Sequence, residues 1–384
     1  MIYMDNAATT KLRPEVVRAM LPYMGNRYAN PSGAYTFSKD VRKDVEDARK
    51  RLAETINAEP EEIYITSGGT ESDNWALKMA AAEHRGGHII TTEIEHHAVL
   101  RACQNLERNG IRVTYVGTDE QGIVRLSEIQ KAVRPDTFLI SVMAANNEIG
   151  TIQPIEKIGE FAQSRKILFH TDAVQAYTNI DIDVKRLNID MLSTSAHKLN
   201  GPKGTGFLYI RKDCLKTPMI HGGGQERGMR SGTENTAGII GFAKAAQIAM
   251  ANRDMRTSYE IKIRNYMTHR ILNEIPFSRL NGHNSLRLPG NMNFSFQFVD
   301  GGTLIVMLDK QGICASAGSA CSTGSKDPSH VLKAIGLPDE LSFATVRFTI
   351  NEDITKNEVD YVVNCLKKNI QELRDQSEDY KRFV

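Results

Sequence analysis

The stretch IYITSGGTESDNWALKMAAAEH, residues 63–84, joins a short β-rich run to a long amphipathic segment through a glycine turn. Its first four residues are typical of a buried strand, and the segment from Thr70 onward suits a helix. Six further runs alternate with helical segments in the same way as far as residue 210. The seven runs are IYIT (63–66), HIITT (88–92), RVTYV (112–116), TFLISVM (137–143), ILFHT (167–171), MLSTS (191–195) and GFLYI (206–210). This alternation predicts an α/β domain with a mostly parallel sheet.

The pattern changes past about residue 255, where a long helical segment leads into the β-like run NMNFSFQF (291–298). The last helix is predicted to start at a capping box formed by Thr355 and Glu358. Its apolar face comprises Val359, Val362, Leu366, Ile370 and Leu373. We therefore expect a large α/β domain over residues 15–255 and a smaller α+β domain built from residues 1–14 and 256–384.

The composition of the 384 residues gives no support to several classes of protein. A formal net charge of +2 gives no basic field, so nothing favours nucleic-acid binding. The most apolar segment, AGIIGFAKAAQIAMA (237–251), is too short to span a bilayer, and the N-terminus lacks the apolar core of a signal peptide. Five scattered cysteines without a CxxC pair argue against a disulfide scaffold or a zinc site. We expect a protein of the reducing cytoplasm, without membrane association.

The turn ITSGGTES (65–72) has the outline of a phosphate site. Glycines let the backbone approach a ligand closely, and a helix N-terminus offers unpaired N–H groups to an anion. The alternative is an ordinary strand–helix turn with Thr70 as the N-cap, and the spacing alone does not separate the two.

The segment STSAHKLNGPKGTG (193–206) holds a candidate nucleophile, Lys198, just after a predicted strand. A desolvated lysine has a lowered pKa and can act as a nucleophile, and Ser195 and His197 could donate to an anion. An isolated loop lysine is more often simply solvated.

Two other segments carry groups suited to a planar ligand. In FHTDAVQ (169–175), Asp172 sits just past a strand, where it could hold a proton on a heterocyclic nitrogen or serve as a helix N-cap. In TEIEHHAVL (92–100), the acids and histidines lack a convincing i,i+4 ligand pair, so we expect no metal, and the His96 imidazole suits stacking on a ring. Together, these signals indicate a phosphorylated, nitrogen-containing aldehyde captured by lysine, which describes pyridoxal 5′-phosphate.

At this point the sequence resembles the cysteine desulfurases, which are pyridoxal-phosphate enzymes of fold type I in the class V aminotransferase group. The resemblance runs from residue 3 to beyond 350 and is closest to the nitrogen-fixation and iron–sulfur-cluster type. It rests on the motifs YMDNAATT (3–10), NPSG (30–33), TSGGTESDN (66–74), NNEIGTIQP (146–154), TDAVQ (171–175), SAHKLNGPKGTG (195–206), RSGTEN (230–235) and GSACSTGS (318–325).

The resemblance implies a mostly parallel seven-stranded sheet flanked by helices, and it assigns a role to each matching residue. Lys198 would form the Schiff base with the cofactor, and Cys321 would be the catalytic cysteine. The other implied contacts with the cofactor are those of Asp172 with the ring nitrogen, His96 with the ring face, Asn147 and Gln175 with the phenolic oxygen, and Gly69, Thr70, Ser195 and His197 with the phosphate. Arg347 would bind the substrate carboxylate beside Asn147, and Thr233 would reach the phosphate of a partner subunit in a homodimer.

The implied reaction converts L-cysteine to L-alanine and leaves the sulfur as a persulfide on Cys321. The acceptor would be an iron–sulfur scaffold or a tRNA-thiolation carrier, and Cys321 could serve as a transient cluster ligand. The segment AGSACSTGSKDP (317–328) has the composition of a flexible loop, which would let this thiol move between cofactor and acceptor. A selenocysteine lyase, a class V aminotransferase and a non-catalytic scaffold are the alternatives, and Cys314 could be a resolving thiol or a small core residue.

Overall fold

The structure is a computed structural model that describes residues 1–84, 86–317 and 327–383. The strands, in chain order, are β1 (Ile2–Tyr3), β2 (Ile63–Thr66), β3 (His88–Thr92), β4 (Arg112–Val116), β5 (Thr137–Ser141), β6 (Leu168–Asp172), β7 (Met191–Ser193), β8 (Gly206–Ile210), β9 (Ser278–Leu280), β10 (Asn291–Phe296), β11 (Ile313–Cys314), β12 (Ser316–Ala317) and β13 (Thr345–Thr349). The helices are α1 (Pro14–Met24), α2 (Thr36–Glu54), α3 (Gly69–Glu83), α4 (His97–Arg108), α5 (Leu126–Ala132), α6 (Ile155–Arg165), α7 (Thr236–Ala251), α8 (Arg253–Glu274), α9 (Gly301–Lys310), α10 (His330–Ala334), α11 (Asp339–Phe343), α12 (Lys356–Gln376) and α13 (Glu378–Phe383).

Seven strands form one sheet in the order β2-β8-β7-β6-β5-β3-β4. Strand β8 is antiparallel to both its neighbours, and the remaining pairs are parallel. All seven runs predicted from the sequence are strands of this sheet, and the predicted fold class is confirmed. Strands β5 and β7 end two residues earlier than the runs TFLISVM and MLSTS.

Helices cover both faces of the seven-stranded sheet, which explains the continuous apolar runs. On one face, α2, α6 and α7 pack against the strands through residues such as Leu52, Ile158 and Phe242. On the other face, α3 and α4 bury Trp75 and Val99 in a separate core.

A second, antiparallel sheet has the order β12-β13-β10-β9 and packs on α8, α9 and α12. The predicted capping box starts α12: the Thr355 hydroxyl accepts from the Glu358 amide at 3.3 Å, and Glu358 accepts from the Thr355 amide at 2.8 Å. The predicted apolar face of α12 lies in the core of this part of the molecule. The predicted division of the chain into a large domain (residues 15–255) and a smaller domain (residues 1–14 and 256–384) stays a prediction.

The N-terminal segment connects the two parts of the molecule. Strand β1 pairs in parallel with β11, and the Thr349 amide donates to the Met4 carbonyl at 2.7 Å. The next residues run from β13 toward the seven-stranded sheet, where the Thr10 amide donates to the His197 carbonyl at 2.9 Å. This path places residues 5–9 beside the carboxyl ends of the parallel strands.

Within the described residues, the helices are all too short or too polar to span a bilayer.

Candidate active site

A cavity of about 290 Å³ lies at the edge where the parallel strands β3, β5, β6 and β7 end. This edge is where ligands of open α/β sheets bind. Ten of the twelve predicted site residues line the cavity, namely Gly69, Thr70, His96, Asn147, Asp172, Gln175, Ser195, His197, Lys198 and Arg347. The fold therefore brings together side chains that lie up to 278 positions apart (347 − 69) in the sequence.

The glycine turn forms one end of the cavity. Helix α3 begins at Gly69 with Gly68 as its N-cap, so the alternative interpretation of Thr70 as the N-cap is wrong. Gly68 has a φ of 143°, which a residue with a side chain rarely adopts, and a Cβ on Gly69 would lie 2.5 Å from Val174 Cγ2. The first-turn amides of α3, which a helix leaves without intrahelical partners, thus stand against the cavity beside Ser195.

Two histidines of the cavity are neutral near pH 7. Burial and the nearby Lys198 charge lower the pKa of His96 to about 4 and that of His197 to about 4. His96 is the N-cap of α4, and its Nδ1 accepts from the Ala98 amide at 3.1 Å, so its proton sits on Nε2. His197 Nδ1 lies 3.1 Å from the Thr9 hydroxyl.

Lys198 ends a short 3₁₀ turn, Ala196–Lys198, that follows β7. Its Nζ donates to the backbone carbonyl of Ala7 at 2.5 Å and to that of Ala8 at 2.8 Å. The ammonium group is thus held at the cavity wall by the N-terminal segment, which disagrees with the interpretation of a simply solvated loop lysine.

Asp172 is the last residue of β6, and its carboxylate accepts from the Val174 amide at 2.9 Å. A turn rather than an α-helix follows it, so Asp172 is not a helix N-cap. Burial raises the pKa of this carboxyl, whereas the Val174 amide and the Lys198 charge favour its ionised form.

Arg347 lies on β13 and is only 3% exposed. One nitrogen, Nη2, pairs with Asp5 Oδ1 at 2.8 Å, and Nη1 donates to the Asn147 carbonyl at 3.1 Å. Its Nε has no hydrogen-bond partner among the described residues. The guanidinium is therefore fixed in place with one buried donor still available.

The other two predicted site residues are Thr233 and Cys321, and only Thr233 belongs to the described residues. Thr233 is exposed on the segment before α7. Cys321 and the rest of residues 318–326 lie outside the described residues. The expected flexibility of the Gly/Ser loop, residues 317–328, therefore stays a prediction.

Sequence reasoning missed one acidic residue of the cavity wall, Asp73. The sequence did contain a sign of it. Asp73 lies three and four residues before the buried Ala76 and Leu77, so it falls on the buried face of α3, where an apolar side chain is expected instead of an acid. In the part of the chain that the structure describes, no three histidine, cysteine or acidic side chains are grouped to hold a metal ion.

The model of the family "Aminotransferase class-V" matches residues 2–362. The chain belongs to this class-V aminotransferase family. Within it, the chain is 48% identical to the cysteine desulfurase IscS of Clostridium botulinum (strain Hall, type A), over 99% of this chain and 98% of that protein.

Two solved structures support the same placement. The structure titled "NIFS-LIKE PROTEIN" superposes with a TM-score of 0.91 at 37% identity and covers 96% of this chain and 99% of its own. The structure titled "SspA in complex with cysteine" has a TM-score of 0.81 at 38% identity and covers 91% and 99% of the two chains. The resemblance to the cysteine desulfurases is thereby confirmed, and pyridoxal phosphate is the cofactor of this class-V family member.

The residues of the cavity fit pyridoxal phosphate. The glycine turn places the N-terminus of α3, with Gly69 and Thr70, on the cavity beside Ser195, where its free amides can bind a phosphate. Asp172 offers a buried carboxylate to the ring nitrogen, and His96 offers a neutral ring. Lys198 supplies the amine that an aldehyde requires.

Proposed function

We propose that this chain is a cysteine desulfurase, which converts L-cysteine to L-alanine and passes the sulfur through a persulfide on Cys321 to an acceptor protein. The observation that carries the proposal is the placement of Lys198 and Arg347 on one cavity with Asp172 and the glycine turn. An amine, a buried arginine donor, a buried carboxylate and an anion cradle are the groups needed to hold the cofactor and an amino acid together.

Each end of the cofactor has residues suited to hold it. The α3 amides with Thr70, Ser195 and His197 would bind the phosphate, and Asp172 would pair with the ring nitrogen. Asn147 and Gln175 would hold the phenolic oxygen, and His96 would stack on the ring. Bound pyridoxal phosphate supplies an electron-withdrawing ring that stabilises the electron pair left at the substrate Cα.

Arg347 would orient the substrate through its carboxylate. Its Asp5 contact fixes the guanidinium at the cavity wall, where this cation can donate to a carboxylate oxygen. A charge-assisted hydrogen bond of this kind orients the amino acid as well as binding it. The buried position of Arg347 excludes water from the contact and strengthens it.

The chain's own nucleophiles would then act in turn. Lys198 Nζ takes the proton from the substrate Cα and can return it during alanine formation. The Cys321 thiolate attacks the substrate sulfur, and the new S–S bond forms as the Cβ–S bond breaks. The electrons of the broken bond remain with the substrate carbon, whose protonation gives alanine.

The direct test is a product assay on the purified holoenzyme with L-cysteine and a thiol reductant, which releases persulfide sulfur as sulfide. We expect alanine and sulfide in equal amounts, as the cysteine-bound relative and the curated cysteine desulfurase suggest. The same assay with selenocysteine measures selectivity. Turnover of selenocysteine alone would favour a lyase, and amino transfer to a keto acid without sulfide would favour an aminotransferase.

We further propose that the chain acts as a homodimer in which Thr233 completes the partner subunit's phosphate site. Thr233 is exposed and does not line its own cavity, so a role at a second copy agrees with its position. The segment that carries it is anchored nearby, since Arg230 pairs with Glu71 at 2.7 Å. An anchored, exposed hydroxyl suits a contact across an interface.

Mixing two inactive variants tests this arrangement. In a dimer of one Lys198→Ala chain and one Thr233→Ala chain, one cavity holds an intact lysine and an intact threonine from the neighbour. We expect activity to reappear in the mixture, up to roughly half the wild-type activity per mixed dimer. If Thr233 served its own chain, each cavity of the mixed dimer would carry one defect and the mixture would stay inactive. Size-exclusion chromatography coupled to light scattering shows whether the chains form dimers, and sequential purification on two different affinity tags, one on each variant, isolates the mixed dimers.

A cytoplasmic setting and a protein acceptor complete the proposal. Cys103, Cys214, Cys314 and Cys365 are free thiols in the described part of the chain, as expected in a reducing compartment. The name of the IscS relative favours an iron–sulfur scaffold as acceptor over a tRNA-thiolation carrier.

A further inference from the structure

Three buried carboxyl groups, those of Asp73, Glu95 and Asp172, lie close enough to interact electrostatically, and two of them line the cavity. Asp73 is 1% exposed, Glu95 is fully buried and Asp172 is 6% exposed. Asp73 and Asp172 both line the cavity wall. The proposed reaction uses only Asp172, which leaves the other two acids without a role.

The hydrogen bonds of these acids are unequal. Asp172 accepts from the Val174 amide. Asp73 Oδ1 has no hydrogen-bond partner among the described residues, and Glu95 Oε2 has none either. Glu95 Oε1, by contrast, accepts from the Thr92 hydroxyl at 2.7 Å and from the Met143 amide at 2.9 Å.

The candidate counter-ion for Asp73 among the described residues is His170, whose Nε2 lies 3.7 Å from Asp73 Oδ1. That imidazole is held between two hydroxyls, with Nδ1 2.8 Å from Ser141 Oγ and Nε2 3.0 Å from Ser193 Oγ. Burial lowers the pKa of His170 to about 3, so the ring is neutral and gives Asp73 no charge partner. Ser193 also faces Asp73 and is the polar group available to it.

The charges around Asp73 and Asp172 favour the ionisation of Asp172 alone. Lys198 faces Asp172 and stabilises its charge, and the neutral His96 adds no cation. Burial and the neighbouring Asp172 charge raise the pKa of Asp73 well above its usual range; the hydrogen bond with Ser193 acts in the opposite direction and is outweighed. Burial likewise raises the pKa of Glu95 to about 8. Two adjacent buried carboxyls cannot both ionise without a large free-energy cost.

We propose that Asp73 is a positioning residue that stays a protonated, neutral acid beneath Asp172, so that the single negative charge of the pair lies on Asp172 and faces the cofactor ring. A hydrogen bond with Ser193 connects Asp73 to β7, and Ser193 Oγ in turn contacts His170 Nε2 on β6, the strand that ends at Asp172. This inference rests on the proposed function, because Asp172 is the ring-nitrogen partner only if the cavity holds pyridoxal phosphate.

Infrared spectroscopy of the protein at neutral pH tests the proton directly. A protonated carboxyl has a carbonyl stretch separate from that of a carboxylate, and D73N is expected to remove one such band. E95Q serves as the matched control that identifies the band of the other buried acid. If the D73N spectrum instead lacked a carboxylate band that the wild-type spectrum contains, the proposal would be overturned.

Cofactor binding tests the positioning role without reference to turnover. We expect D73N, a neutral isostere, to keep the wild-type Kd for pyridoxal phosphate and the same pH titration of the bound cofactor's absorbance. We expect D73L, which loses the polar link to Ser193, to weaken cofactor binding by about tenfold or more. A D73N titration shifted by more than about one pH unit, from the loss of a charge beside Asp172, would contradict the inference. Wild-type affinity in D73L would contradict it as well.

Infrared spectroscopy, cofactor affinity and the alanine assay together separate this inference from the proposed function. If the holoenzyme bound pyridoxal phosphate but formed no alanine, the function would fall while the infrared and affinity results for Asp73 stood. If D73L did not fold, as judged by circular dichroism, D73A would take its place, and the D73N and infrared results would still decide the protonation state.

Discussion

Replacing Lys198 with alanine is expected to lower alanine formation from L-cysteine by about 100-fold or more and to abolish the absorbance band of lysine-bound cofactor. Lys198 is the one lysine among the described residues that line the cavity, so no neighbouring amine can take over its bond to the aldehyde. The same substitution removes the base that we assign to the substrate Cα proton. Absorbance spectroscopy and a coupled alanine assay measure the two losses separately.

A matched control is available five residues later in the same loop. Lys203 is exposed and does not line the cavity, so Lys203→Ala removes one charge from the loop and is expected to keep the band and the activity. Retention of the wild-type band by the Lys198→Ala variant would show that the cofactor assignment is wrong.

Replacing Cys321 with serine is expected to remove sulfur transfer almost completely, with alanine formation reduced on the order of 100-fold or more. A serine hydroxyl at neutral pH is a far weaker nucleophile toward sulfur than a thiolate, and it cannot form a persulfide. The cofactor contacts assigned to Lys198, Asp172 and the glycine turn are unchanged in this variant, so the absorbance band should remain. Radiolabelled sulfur from cysteine, followed on the protein after non-reducing electrophoresis, measures the persulfide.

Cys314 provides the control for this experiment. It pairs with Tyr3 between β11 and β1 and is half-buried, which fits a small residue of the strand better than a reactive thiol. We expect Cys314→Ser to keep both alanine formation and the protein-bound label. Alanine release at the wild-type rate by Cys321→Ser would refute the nucleophile assignment.

The seven-stranded sheet could be predicted from the sequence because most of its strands are buried on both faces. Runs such as HIITT and GFLYI are buried at every position, so each is visible without knowledge of its neighbours. Strand order could not be predicted, because the antiparallel insertion of β8 between β2 and β7 depends on the return path of the chain after Lys198.

The candidate site was predictable where its residues belong to local motifs. Lys198, Asp172 and Gly69 each follow a recognisable strand, and parallel strands end at one edge. Asp73 was missed because a helix pattern shows an unexpected acid but not the carboxyl that it faces. The carbonyls of Ala7 and Ala8 were missed for a related reason, since backbone oxygens leave no signal in residue types.

The N-terminal segment also determines when the site can exist during synthesis on the ribosome. Asp5 is translated 342 positions before its partner, Arg347. The strand that pairs with β1 is likewise made late, at Ile313–Cys314. The seven-stranded sheet can therefore fold on the nascent chain well before the active site is complete. A chain stalled before β13 would carry Lys198 without Arg347, which we propose orients the substrate, so cysteine turnover is expected to wait until β13 has been made.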